Sequence, residues 1–264
     1  MSRIAGYKET LYIILYSLLG QAASALLILT SRAPPEVEFT PVESVGLSAA
    51  YTLGTFLVTL LILYLLRKRL HTILMIMFMT SVSVSTISAL LLVADQHSLN
   101  PAYALAAGLI LTFLVLKQSP LTPISQSIIA GIISYVIVQL TGTTFPTTLI
   151  ILLSLYDVYT VYKGPLQRII AETRSQETSV ESTMTPLMVK TGGISVGMGD
   201  ILAYTMAAAI SYQSLKPPLA TLNIIAIYAG ISITVSLVRR KGYVPGLPVP
   251  VGLWLISYMV LSNL

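Results

Sequence analysis

The sequence contains no cysteine, and this absence removes several chemistries at once. A chain without cysteine has no disulfide framework, no thiolate nucleophile and no cysteine-ligated metal site. Its two histidines, His71 and His97, lie between apolar runs, so no serine–histidine dyad is available within a bilayer. A His-Glu-x-x-His motif is also missing, which argues against a zinc protease. We therefore predict neither a metal nor a cofactor.

Charged residues are scarce as well. They form only 9% of the 264 residues, whereas hydrophobic residues form 55%. Soluble proteins carry about 25% charged residues, so a single soluble core is excluded and an integral, multi-pass membrane protein is predicted. The net charge of +5 would suggest nucleic-acid binding in a soluble protein. Here the basic residues cluster between apolar runs, so we attribute the charge to membrane topology and predict no nucleic-acid partner.

The apolar runs predict an all-α polytopic membrane protein with nine transmembrane helices. Runs of roughly 17–25 apolar residues are long enough to cross a bilayer as helices. The predicted spans are 10–30, 45–66, 72–94, 101–117, 124–142, 145–162, 193–213, 218–238 and 245–263, in one membrane domain, 1–264. The first run is too long for a signal-peptide core and has no convincing cleavage site, so we expect it to be retained.

The basic residues predict how these spans are oriented. Loops on the cytoplasmic side of a membrane carry an excess of lysine and arginine. With the N-terminus in the cytoplasm, the opposite side receives only Arg32 and Lys216 of the 15 basic residues. We therefore predict a cytoplasmic N-terminus, a C-terminus on the opposite side, and a cytoplasmic loop at 163–191.

Two of the spans carry stripes of small residues. The first span has Ser17, Gly20 and Ser24 on one face, and the third has Ser81, Ser85 and Ser88. Small residues at this spacing let membrane helices approach closely. We therefore expect both stripes to pack against other helices rather than to line a substrate path.

Two aspartates lie where an acidic residue is costly. Of the 10 acidic residues, only Asp157 and Asp200 are embedded in runs long enough to enter a bilayer. An aspartate at the centre of a membrane helix costs about 2.5–3.5 kcal/mol, which makes both candidate functional residues. Asp157 precedes Lys163, and Asp200 follows Gly193, by roughly 9–11 Å of helix. The two antiparallel spans should therefore hold both carboxyl groups at one level.

Such a pair supports more than one chemistry. Two carboxyl groups in a low-dielectric site cannot both ionise easily, so they can share a proton. One can then act as base on a water while the other donates a proton to a carbonyl oxygen, as in aspartic proteases. The same pair could instead conduct protons or cations in a transporter, or form a buried polar contact. The spacing alone fits a protease and a transporter equally well.

Three motifs surround the aspartates, in order, on the sixth, seventh and ninth spans. Tyr156-Asp157 leads into Lys-Gly-Pro-Leu at 163–166 and Glu172-Thr173, Gly-x-Gly-Asp ends at Asp200, and Pro-Gly-Leu-Pro occupies 245–248. Together they resemble the motifs of presenilin, in the intramembrane aspartyl protease family. The third motif departs from that family's usual Pro-Ala-Leu-Pro at Gly246.

This resemblance implies an intramembrane aspartic endopeptidase whose two aspartates activate water to hydrolyse peptide bonds of transmembrane substrates. Its partners would be single-span membrane proteins or peptides and the lipid bilayer, and the motifs name no accessory subunit. Catalysis would fall to Asp157 and Asp200. Substrate contacts would fall to Tyr156, Gly197, Met198, Gly199, Pro245, Gly246, Leu247 and Pro248. The alternative is a proton-coupled transporter or cation leak channel that uses the same aspartates.

The motif residues also have expected physical roles. Gly197 and Gly199 leave room beside Asp200 for a substrate backbone or a neighbouring helix. Pro245 and Pro248 interrupt helical hydrogen bonding, so we expect irregular backbone beside the active-site water, able to pair with an extended substrate.

Three narrower expectations concern single residues and the longest loop. Tyr156 either packs within the protein or contacts substrate. Gly246→Ala should be tolerated or mildly activating, because it restores the residue usual in the family. Presenilins carry a self-cleaved segment between the sixth and seventh spans. The only apolar stretch of that loop here, 184–189, either reaches the aspartates and is cleaved or rests as a surface patch on the membrane interface.

Overall fold

A computed structural model describes residues 2–31, 37, 39–68, 70–117, 119–163, 188–191 and 194–264. Within these ranges the chain forms nine helices and one antiparallel β-hairpin. The elements are α1 (Ser2–Thr30), α2 (Pro41–Arg67), α3 (His71–Gln96), α4 (Pro101–Leu116), α5 (Thr122–Thr141), α6 (Thr144–Tyr162), β1 (Met188–Thr191), β2 (Ile194–Gly197), α7 (Met198–Ser214), α8 (Pro217–Lys241) and α9 (Pro248–Leu261). The predicted helical fold class is confirmed, with the hairpin as an addition.

Six of these helices are long and apolar enough to cross a membrane, namely α1 from Lys8 onward, α2, α3, α5, α6 and α8. Helices α4 and α9 are apolar but shorter, and α7 has 17 residues. The chain is therefore an integral, multi-pass membrane protein, as predicted from its composition. The orientation of its termini stays a prediction.

Prolines mark where several helices begin. A proline in the first turn loses no helical hydrogen bond, because N–H groups there have no partner within the helix. Helices α2, α4, α5, α8 and α9 all begin in this way. Pro248 is the first residue of α9, so the ninth helix begins there and not at 245 as predicted. Residues 245–247 consequently lie outside any helix.

The seventh predicted span also differs at its start. Residues 194–197 form β2, paired with 188–191, instead of the first turn of a helix. Two of the four residues in β2 are β-branched and favour extended backbone, while Gly197 disfavours a helix. Helix α7 therefore begins at Met198, and Asp200 lies in its first turn. The predicted depth of Asp200 in the membrane rests on the rise of a helix starting at Gly193, so that prediction does not apply to a helix that starts at Met198.

The centre of the bundle is formed by α1, α5 and α7. Gly20 of α1 and Gly131 of α5 cross so closely that a methyl group on Gly131 would overlap the carbonyl oxygen of Gly20. The hydroxyl groups of Ser134 and Thr205 bridge α5 and α7 at 2.6 Å. The flanking serines of the α1 stripe are fully buried, so its predicted packing role is confirmed.

The small-residue stripe on α3 behaves differently. Ser81, Ser85 and Ser88 are exposed, whereas Thr86 and Ala89 on the neighbouring face are buried. The packing face of α3 is thus rotated by one residue from the predicted one. The expectation that this stripe packs within the chain is wrong.

Candidate active site

Asp157 lies near the end of α6 and accepts hydrogen bonds from the segment before α9. The backbone N–H of Leu247 donates to Asp157 Oδ2 at 3.0 Å, and the backbone N–H of Gly246 contacts the same carboxylate. These two N–H groups precede the first turn of α9 and are not needed inside a helix. The non-helical segment 245–247 therefore supplies two hydrogen-bond donors to one aspartate.

Asp200 contacts the same short segment. It lies in the first turn of α7, where free N–H groups favour a carboxylate, and it contacts the backbone of Gly197. A methyl group built on Gly246 would lie 2.5 Å from Asp200 Oδ2 and 2.8 Å from Asp200 Cγ. The carboxyl group of Asp200 therefore rests directly against the backbone of Gly246. The two aspartates meet at Gly246 and interact electrostatically with each other.

Tyr204 of α7 forms a hydrogen bond with the segment 245–247. It follows Asp200 by one helical turn, so both side chains project from the same face of the helix. The Tyr204 side chain is buried, and its hydroxyl donates to the carbonyl oxygen of Gly246 at 2.8 Å. Gly246 thus has contacts with three side chains, two from α7 and one from α6.

A cavity of about 350 Å³ opens beside these groups. Asp157, Asp200, Tyr204 and Gly246 all line it, and the rest of its wall includes residues of α1, β1, β2, the second half of α8 and the chain that follows α8. This volume falls within the roughly 300–1,000 Å³ of known ligand clefts. Among the described residues, no group of three or more His, Cys, Asp or Glu could hold a metal ion. The chemistry available here is that of two carboxyl groups facing one space.

The two glycines of the Gly-x-Gly-Asp motif stand in open space. A methyl group on Gly199 would meet no heavy atom within 4 Å, and one on Gly197 would first meet Asp200 Oδ2 at 3.5 Å. Gly197 lines the cavity, whereas Gly199 is exposed and is not among the described residues that line it. Room for a ligand beside Asp200 is therefore present at Gly197, and a substrate contact at either glycine stays a prediction.

Tyr156 and Met198 have side chains that pack within the protein. Tyr156 donates a hydrogen bond to Thr59 Oγ1 of α2 at 2.9 Å, and its ring meets Phe56 edge-on. Met198 packs against an apolar cluster that includes Val115 of α4. Neither is among the described residues that line the cavity. Both side chains therefore have packing partners within the protein, as the alternative for Tyr156 expected, and a substrate contact of either residue stays a prediction.

The Pro-Gly-Leu-Pro motif reaches the cavity mainly through its backbone. Pro245 and Leu247 are buried, and the Leu247 side chain belongs to the main apolar core. Pro248 opens α9. Of the four motif residues, Gly246 lines the cavity, and Leu247 contributes its N–H group to Asp157.

Glycine at 246 leaves space for the Asp200 carboxyl group, and the backbone conformation there does not itself call for glycine. Among the described glycines, only Gly142 and Gly242 have positive φ. A side chain at 246 would instead collide with the carboxyl group of Asp200. The expectation that alanine is tolerated there is therefore reversed.

Most of the loop between α6 and β1 lies outside the described residues, including 184–187 of the predicted self-cleaved stretch. The described end of that stretch lies close to the aspartates. Met188 lines the cavity, and Val189 is buried against α5 and α7. Whether the loop is cleaved stays a prediction.

Sequence reasoning missed most of the residues that line this cavity, including Tyr204 and Thr234. Tyr204 could have been found, because it stands one helical turn after Asp200. Thr234 of α8 gave no signal among the other hydroxyl residues of that helix. It lines the cavity with only 6% of its surface exposed, and its Oγ1 has no hydrogen-bond partner among the described residues.

No family model matches the sequence, and no curated protein matches it. Several solved structures match the fold, among them the following two. A presenilin family intramembrane aspartate protease in space group C222 is 16% identical, with a TM-score of 0.64 over 96% of this chain and 98% of that one. A structure of the same description in space group P2 is 15% identical, with a TM-score of 0.58 over 94% and 95%. The resemblance first suggested by the motifs is thus confirmed for the architecture, and this chain has the fold of the presenilin family intramembrane aspartate proteases.

Proposed function

We propose that this protein is an intramembrane aspartic endopeptidase that hydrolyses peptide bonds of single-span membrane substrates. The observation that carries the proposal is the meeting of two carboxyl groups at Gly246, beside a cavity in a membrane protein. One carboxylate accepts a proton from the attacking water, and the other carboxyl group donates a proton to the scissile carbonyl oxygen.

The hairpin supports binding of the substrate as an extended strand. Ser195, Val196 and Gly197 of β2 line the cavity. A strand in a two-stranded sheet leaves one edge unpaired, and an extended peptide can add to such an edge. A substrate strand on β2 would present its peptide bonds to the aspartates, which a closed helix would not do.

A direct test separates this proposal from the transporter or leak-channel alternative. The purified protein is incubated in lipid with a panel of single-span peptides, with and without a hydroxyl inhibitor that mimics the transition state of aspartic proteases. We expect discrete cleavage products, identified by mass spectrometry, that disappear with the inhibitor. Intact peptides, together with an ion flux that the inhibitor does not change, would favour the alternative.

The rate of cleavage should depend on pH in a bell-shaped manner. Activity needs one carboxyl group ionised and the other protonated, so the rate falls on both sides of an optimum. The measurement is the initial rate of peptide cleavage across pH, with thermal stability recorded at each pH to exclude unfolding. A rate that rises steadily into the alkaline range would indicate a different base.

Thr234→Val should change KM and kcat little, because the Thr234 Oγ1 atom is itself buried although the residue lines the cavity. Valine has nearly the same shape, and no hydrogen bond within the described residues is lost, so the melting temperature should hold or rise. Thr86→Val is the matched control, since the Thr86 hydroxyl is buried but donates to Val82 within α3. A clear rise in KM for Thr234→Val would contradict this expectation and would show that the Thr234 hydroxyl reaches the substrate.

A further inference from the structure

The segment 245–247 contacts both aspartates, and the burial of Pro245 and Leu247 anchors it in the core without fixing where the backbone of Gly246 lies. It belongs to no helix or strand, and its ends lead into Val244 and α9. Its described hydrogen bonds are those of the N–H groups given to Asp157, of the Gly246 carbonyl oxygen, which accepts from Tyr204, and of the Leu247 carbonyl oxygen, which accepts from the N–H of Val251 in α9. The Tyr204 hydroxyl is therefore the contact that ties this segment to α7, the helix that carries Asp200.

We propose that Tyr204 is a positioning residue, whose hydroxyl holds residues 245–247 so that their N–H groups bond Asp157 while Asp200 stays against Gly246. This inference rests on the proposed protease function. The hydrogen bond couples both aspartates to one backbone unit, since the peptide groups around Gly246 contact Asp157, Asp200 and Tyr204. Tyr204 thus fixes the relative placement of two carboxyl groups that come from different helices.

The local environment fits a hydrogen bond that does not exchange with bulk water. Tyr204 is 3% exposed, and its own backbone carbonyl accepts a hydrogen bond from Gln21 Nε2 of α1 at 3.4 Å. Gln21 in turn accepts from the hydroxyl of Tyr228 on α8. Both ends of Tyr204 are therefore held, the backbone by α1 and the hydroxyl by the segment before α9.

The test compares Tyr204→Phe with wild type in two independent measurements. Phenylalanine keeps the ring and removes only the hydroxyl. Hydrogen–deuterium exchange of a peptide covering 243–248 reports whether the N–H groups of the segment stay protected, and this readout needs no activity. Steady-state cleavage of a single-span peptide reports kcat and KM. We expect faster exchange, a kcat lower by about tenfold and an unchanged KM.

Tyr212→Phe is the matched control. Tyr212 lies on the same helix, but its hydroxyl contacts Thr221 Oγ1 at 3.4 Å and does not line the cavity with the aspartates. This variant should match wild type in both measurements. Equal effects in the two variants would indicate a general loosening of α7 and would overturn the proposal.

Other results of these two measurements would also support or overturn the positioning role of Tyr204. Unchanged exchange in Tyr204→Phe, or faster exchange with unchanged kcat, would overturn the positioning role. A higher KM with unchanged kcat would mean that Tyr204 binds substrate directly, which also contradicts it. If wild-type protein cleaves no peptide, the proposed function fails, whereas faster exchange in Tyr204→Phe alone still supports the positioning contact.

Discussion

Replacing either Asp157 or Asp200 with asparagine is expected to abolish peptide cleavage while the protein stays folded. An asparagine side chain can neither accept a proton from water nor donate one to the scissile carbonyl oxygen, and the mechanism needs one aspartate for each of these steps. The amide oxygen of asparagine can still accept the hydrogen bond from the N–H of Leu247. Removing a charge from a membrane helix also relieves a burial cost, so stability should hold or rise.

The measurement is cleavage of one single-span peptide, with the melting temperature of each variant in the same detergent. Asp95→Asn is a matched control, because Asp95 is exposed near the end of α3 and does not line the cavity. It should cleave at the wild-type rate. Substantial proteolysis in Asp157→Asn or Asp200→Asn would rule out a two-aspartate mechanism, and loss of activity in Asp95→Asn would show that the assay reports on folding.

The sequence predicted those parts of the fold that depend on residues close together in the chain. The length of an apolar run decides whether a helix can cross a bilayer, and an isolated acid within such a run is costly wherever its partners lie. Both aspartates could therefore be selected from the sequence alone. The beginnings of α7 and α9 could not be placed as well, because apolarity continues through 194–197 and 245–247 although the backbone there is not helical.

The arrangement of the site depends on contacts that are distant in sequence. Leu247 and Asp157 are 90 positions apart, and Tyr204 and Gly246 are 42 apart. The periodicity of apolar residues along a helix does not show which distant residues are in contact. The order of the motifs therefore identified the helices of the site but not the groups that touch each other. This is why Tyr156, inside a motif, proved to pack against α2, while Tyr204, outside any motif, lies between the aspartates and the ninth helix.

Gly246→Ala is expected to impair cleavage strongly without unfolding the protein. The added methyl group would come within 2.5 Å of Asp200 Oδ2, closer than carbon and oxygen can approach without a bond. The carboxyl group is the flexible end of a side chain, so it should rotate away at little cost in folding free energy. A reacting group displaced by about 1 Å can cost on the order of 100-fold in rate. We therefore expect kcat/KM to fall by roughly that factor.

Gly252→Ala provides the matched control for this substitution. Gly252 lies in α9, six positions after Gly246, and a methyl group there would meet no heavy atom within 4 Å. Alanine also favours a helix more than glycine does, so this variant should be fully active and slightly more stable. Cleavage kinetics and melting temperature of both variants are measured in the same detergent. If Gly246→Ala is folded and cleaves as fast as wild type, the contact between Asp200 and Gly246 is not part of the active geometry. The requirement for space at position 246 would then be withdrawn, and the segment before α9 would act on the site only through the N–H groups that it gives to Asp157.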